Sequence, residues 1–202
     1  KMVTSWPKNF PGVGVGAERF AQLVNEMSGG RLKVKVYAAG ELVPALEVFD
    51  AVSRGTAELG HGAAYYWKGK VPTAQFFTSV PFGLSAIEMN AWLSKGEGQK
   101  FWDEAYAPFG VKPMVVGNTG MQMGGWYNKE INSLDDLRGL KIRTPPDPTT
   151  IDIFQALGAA TQQLNFNELY VALQQGVVDG QENPLPTIQA KKFYEVQKNI
   201  IL

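Results

Sequence analysis

Two hydrophobic periods follow one another around a glycine pair in the first 37 residues, and this succession limits the fold more than any other feature. In AERFAQLVNEMSGG the apolar positions Phe20, Leu23, Val24 and Met27 recur at spacings of three and four, one face of a helix, and Gly29 supplies a left-handed stop. In the RLKVKVY that follows, Leu32, Val34 and Val36 alternate with Arg31, Lys33 and Lys35, the period of a half-buried strand. Residues 1 to 6 alternate loosely and end in Trp6, and a Pro- and Gly-rich stretch from 7 to 16 reads as a loop. The segment is therefore a β-α-β unit of an α/β fold.

The rest of the chain continues in the same way. A helix is predicted over 45–54, then Gly55 and a short strand through Leu59. The aromatic, Pro-rich stretch 72–83 reads as irregular structure before a helix over 85–95, capped by Ser85 and Glu88. A short helix over 99–106 stops at Pro108, and strands are predicted in VKPMVVGN and MQMGGWYN. Ser133 with Asp136 starts a single helical turn, LKIR is a strand, and helices are predicted over 149–157, from Asn167 to the Gly176 stop, and over 188–198, with VVDG as a short strand. AVSRGTAELG at 51–60 resembles ALQQGVVDGQ at 172–181, and GRLKVKV at 30–36 resembles GLKIR at 139–143. The expectation is two α/β lobes, 1–116 and 117–202, with a ligand cleft between them.

Composition removes several chemistries. Nineteen basic and 19 acidic side chains give no net charge and no basic stripe, so nucleic acid is not an expected partner. Without cysteine there is no thiol catalysis, disulfide or Cys-ligated metal site, which fits an oxidising compartment. A single histidine, His61, rules out multi-histidine metal sites. The opening KMVTSWPKNF carries no long apolar segment, so the chain reads as mature and soluble.

Ligands of parallel α/β sheets bind outside the carboxyl ends of the strands. The residues expected there are Trp6, the HGAAYYW run with His61 and Tyr66, Gln122, Arg143, Glu182 and Asn183. Arg143 closes GLKIR just before Pro145 and Pro146, and its planar fork suits a carboxylate, with Asn183 as an amide donor beside it. On the residues alone a surface arginine paired with Asp147 fits equally well. Tyr66 and Trp6 would supply apolar walls and donors, or serve as core. Gln122 and Glu182 are hard oxygen ligands that could share a cation. GVGVG at 12–16 lacks the spacing of a dinucleotide fingerprint and reads as a flexible loop, and Asp135 and Asp136 read as helix-start electrostatics.

Taken in order, AAGELVPALEVFDAVSRG, LRGLKIR, ALGA, ELYVALQQGVVDGQENP and KFYEVQK resemble the periplasmic substrate-binding proteins of tripartite ATP-independent periplasmic (TRAP) transporters, the DctP-like family, over essentially the whole chain. The resemblance implies a two-lobed periplasmic receptor that closes around an organic acid and presents it to a membrane permease. It implies that Arg143 grips the substrate carboxylate with Asn183 as companion, and that a sodium or calcium ion held by Gln122 and Glu182 bridges ligand and protein in the 2-oxo acid and hydroxy acid branch. The YYW and VPFGL regions resemble that branch. The family chain continues beyond the KFYEVQK helix with a part that completes both lobes and, in some members, makes a homodimer. Two rivals remain: an enzyme acting on an organic acid with His61 or Glu182 as general base, which lacks a second placed acid or base, and a sensory module that reuses the same pocket.

Overall fold

Three parallel strands, β1 (Met2–Thr4), β2 (Val36–Tyr37) and β3 (Leu59–His61), form the first sheet in the order β2-β1-β3. The computed structural model describes residues 1–78, 80, 82–120, 123–145, 148–164, 168–183 and 185–201. It divides into two compact units, Lys1–Thr119 and Gly120–Leu202. Met2, Val3 and Thr4 are all buried, as expected of a central parallel strand covered on both faces.

Helix α1 (Val13–Met27) links β1 to β2, and α2 (Val48–Ser53) precedes β3. The expectation of a flexible loop at 12–16 is corrected, because residues 13–16 form the first turn of α1. A side chain at Gly14 would meet the Pro7 carbonyl at 2.5 Å and Phe10 Cβ at 3.0 Å, so glycine here allows close packing. The strand expected over 31–37 is confined to Val36 and Tyr37. These two residues pair with Met2 and Val3 of β1, and Leu32 is exposed.

The core of this unit is aromatic. Phe49 stacks on Trp67 with centroids 5.4 Å apart and meets Tyr106 edge-on at 5.2 Å, while Phe77 stacks on Trp102 at 5.4 Å. Helices α3 (Ala86–Lys95) and α4 (Gly98–Tyr106) carry part of this cluster. The capping box at the start of α3 forms: Ser85 N–H donates to Glu88 Oε2 at 2.8 Å, and Glu88 N–H to Ser85 Oγ at 3.4 Å. The strand expected in VKPMVVGN does not form. Lys112 pairs with Asp103, and Gln99 Nε2 donates to the Pro113 carbonyl at 2.9 Å, but among the described residues no strand lies alongside, and Met114 and Val116 are exposed.

The second unit holds a mixed sheet of β4 (Gly125–Tyr127), β5 (Lys141–Arg143), β6 (Ala160–Gln162), β7 (Gly180–Gln181) and β8 (Asn199–Ile201), ordered β6-β5-β7-β4-β8. The β5 pairings are parallel and the β4 pairings antiparallel. On one face Phe154 of α5 (Pro148–Ala156) packs in a cluster with Ile142 and Tyr127. A second cluster joins Leu169 and Leu173 of α6 (Leu169–Gln174) and Ile188 of α7 (Leu185–Ala190) with Phe193, with Trp126 packed against it. The helix expected over 188–198 is broken. Lys192 takes a left-handed conformation, Phe193–Glu195 form a 3-10 turn, and the chain returns as β8 against β4. Among the described residues no helix is long and apolar enough to cross a membrane.

Candidate functional site in the strand ends

Each sheet has a point where the chain leaves a central strand to one side and returns on the other. In the second unit α5 leads from β5 outward to β6, and α6 leads back across to β7 on the other side of β5. A crevice opens at such a switch point outside the carboxyl ends of the two strands, here β5 and β7. Arg143 ends β5 and Gln181 ends β7, with Glu182 and Asn183 just after it, and the two strand ends are held together by the backbone hydrogen bond from Glu182 N–H to the Arg143 carbonyl at 3.2 Å.

Burial settles part of the question about Arg143, which is only 6% exposed and is no surface arginine. Asp147 lies outside the described residues. The guanidinium Nη1 donates to Asn183 Oδ1 at 3.4 Å, so Asn183 meets Arg143 as an acceptor. Asn183 Nδ2 donates to Gln181 Oε1 at 2.5 Å, Gln181 Nε2 to Gln197 Oε1 at 2.7 Å, and Gln197 Nε2 to the Trp126 carbonyl at 2.6 Å. The sheet register explains the alignment. Arg143 lies opposite Gln181 on one side, and Gln181 lies opposite Trp126 on the other.

Glu182 is buried, and its negative charge adds to burial in pushing the Tyr127 hydroxyl far above its ordinary value. A buried carboxylate at a strand end fits one hard ligand of a cation. Gln122, the expected second ligand, lies outside the described residues. Among the described residues no three His, Cys, Asp or Glu side chains gather to hold a metal. Thr144 Oγ1 and Trp126 Nε1 are buried without a hydrogen-bond partner among the described residues. Polar atoms in that state are ordinarily met by water or ligand.

The first unit has its own switch point between β1 and β3, since α1 leads to β2 on one side and β3 returns on the other. Trp6 follows β1 there, held by Thr4 Oγ1, which accepts from the Trp6 N–H at 2.9 Å. Its ring meets His61 at 4.9 Å and Tyr66 at 6.2 Å, so three of the residues singled out in the sequence share one cluster. His61 Nε2 lies 3.0 Å from the Val13 carbonyl, which can only accept, so the proton sits on that nitrogen. Burial lowers the His61 pKa against the opposing effect of this bond. Ser5 Oγ, beside Gly62, is buried without a partner among the described residues.

Sequence reasoning missed Gln181, Thr144 and Gln197. Gln181 was visible within QENP. Gln197 lies within KFYEVQK, but its contact was not visible there, because the segment around it reads as a helix and folds as a turn and a strand.

A monocarboxylate 2-oxoacid-binding periplasmic protein of Nostoc sp. is 48% identical over 182 residues, 90% of this chain and 49% of its own length. A TRAP periplasmic solute binding protein from Pseudoalteromonas atlantica, solved with bound sodium and pyruvate, superposes with a TM-score of 0.88 at 38% identity, covering 99% of this chain and 60% of that one. The Colwellia psychrerythraea protein, solved with calcium and pyruvate, gives the same TM-score and identity over 97% of this chain and 60% of its own. The chain thus spans about half to three fifths of the length of these relatives. The sequence profile of the bacterial extracellular solute-binding proteins of family 7 matches residues 2–202, and the chain belongs to that family.

Proposed function

We propose that the protein is the periplasmic receptor of a TRAP transporter for a small organic acid, with a 2-oxo monocarboxylate such as pyruvate as the favoured ligand, and that it hands this ligand to a membrane permease. The observation that carries the reading is Arg143, a permanently charged fork buried at the switch point of the second sheet with Asn183 against it. The pyruvate carried by two similar solved proteins supports the choice of ligand. Glu182 would hold a sodium or calcium ion with Gln122 as a second oxygen ligand, and the cation would draw the ligand's oxygens to the site. Trp6 and Tyr66 are proposed as aromatic contacts to the ligand. An enzymatic role finds less support, because the sequence places no second acid or base, and no nucleophile with a partner, for His61 or Glu182 to work with.

A thermal-shift screen of pyruvate, 2-oxobutyrate, lactate, succinate and malate tests the proposal, each acid being run with sodium, with calcium and after chelation. A ligand that binds only the folded state raises the melting temperature with its concentration. The expected result is a shift with 2-oxo acids that shrinks when the cation is removed. No shift with any acid would overturn the receptor reading, and slow turnover of a bound acid would favour the enzyme.

A further inference from the structure

The hydrogen bonds behind Arg143 run in one direction only. The Trp126 backbone carbonyl can only accept, so it fixes Gln197 with Nε2 toward it and Oε1 away. Oε1 then accepts from Gln181 Nε2, which turns Gln181 Oε1 toward Asn183, and Asn183 can donate to it only through Nδ2. Asn183 is left with Oδ1 facing Arg143. Each amide has one donating and one accepting end, so a single carbonyl decides the flip of three side chains, and reversing any of them sets like against like. Gln181 and Gln197 are each 1% exposed, at a depth where a glutamine is unfavourable unless its amide is fully used.

We infer that Gln197 and Gln181 are positioning residues for the carboxylate site. They keep the Asn183 carbonyl on Arg143, and so aim the guanidinium fork at an incoming carboxylate, without touching the ligand themselves. The relay draws on three separate stretches: β4 for Trp126, the end of β7 for Gln181 and Asn183, and the turn before β8 for Gln197. The last link, 3.4 Å, is the longest, which lets the fork settle onto its ligand while its plane stays guided. The inference rests on the reading of Arg143 as the carboxylate anchor.

Pyruvate affinity is measured by calorimetry, in calcium, for the wild-type chain, Arg143→Ala, Gln197→Met and Gln197→Glu, with circular dichroism on each sample. Gln197→Met keeps the length and loses the amide, and is expected to weaken pyruvate about tenfold with the spectrum unchanged. In Gln197→Glu an ionised carboxylate cannot donate to the Trp126 carbonyl, whereas the protonated acid donates there and still accepts from Gln181. Its affinity should therefore climb toward the wild-type value as pH falls, a rescue that a packing role would not give. Arg143, Glu182, Tyr127, Tyr194, Glu195 and Lys198 are common to both proteins, so the wild-type profile over the same range accounts for them. Wild-type affinity in both Gln197 variants, or an equal and pH-independent loss in both, overturns the relay while a weakened Arg143→Ala leaves the anchor standing. An unchanged Arg143→Ala removes the anchor and the relay with it.

Discussion

Arg143 and His61 both lie at strand ends and partly or wholly out of water, and burial acts on them in opposite ways. A guanidinium cannot shed its proton, so burying it requires partners, and Asn183 is one. An imidazole responds by staying neutral, and burial lowers the His61 pKa below the ordinary value. The unfolded chain therefore takes up a proton at this residue at a higher pH than the folded one. The stability contributed by neutral His61 is complete above the unfolded value of about 6.5 and is lost as pH falls through the lower folded value. Wild-type melting temperature is expected to drop as pH is taken from 7.5 toward 5, more than that of His61→Gln. Parallel curves for the two proteins would contradict this. Arg143 was legible in the sequence because a strand pattern stops on it, whereas Gln197 was not, because its importance comes from a carbonyl 71 positions away.

The elements divide by length into those that sequence periods reveal and those that they cannot. The α1 helix spans 15 residues and α3 opens on a capping box, and both carry enough pattern to be read. β6 and β8 have three residues each, too short for a period of two to stand out, so they exist through their neighbours in the sheet. The GVGVG stretch misled because glycine serves two purposes there. Gly16 has open space where a side chain would go, while Gly14 lies against the Pro7 carbonyl. Gly16→Ala is expected to stabilise the protein by about 0.5–1 kcal/mol through helix propensity and a less flexible unfolded chain. Gly14→Ala is expected to destabilise it by about 1–3 kcal/mol through overpacking. Denaturant unfolding of the two variants checks the pair, and equal shifts would mean that the start of α1 is not packed on the loop.

Across the whole molecule one connection plan occurs twice. In each unit a strand leads through a helix to a neighbour on one side, and a second helix brings the chain back to the other side, giving the orders β2-β1-β3 and β6-β5-β7. The likeness of residues 51–60 to 172–181 falls on equivalent pieces, α2 with β3 and α6 with β7, each joined through a glycine of positive φ, Gly55 and Gly176. The likeness of 30–36 to 139–143 does not, since β2 is an edge strand and β5 a central one. Local pattern therefore disclosed a repeated motif, but only strand order showed which strand ends carry a switch point. In each sheet buried polar side chains lie at strand carboxyl ends, and on the second sheet these include one permanent positive charge, Arg143. The most direct test is calorimetric titration of pyruvate, in calcium, into the wild-type protein and Arg143→Ala. The account predicts a loss of about 2–5 kcal/mol of binding free energy, roughly 30-fold or more, as for removal of one partner from a buried charged hydrogen bond. Equal affinity in the two proteins would contradict it.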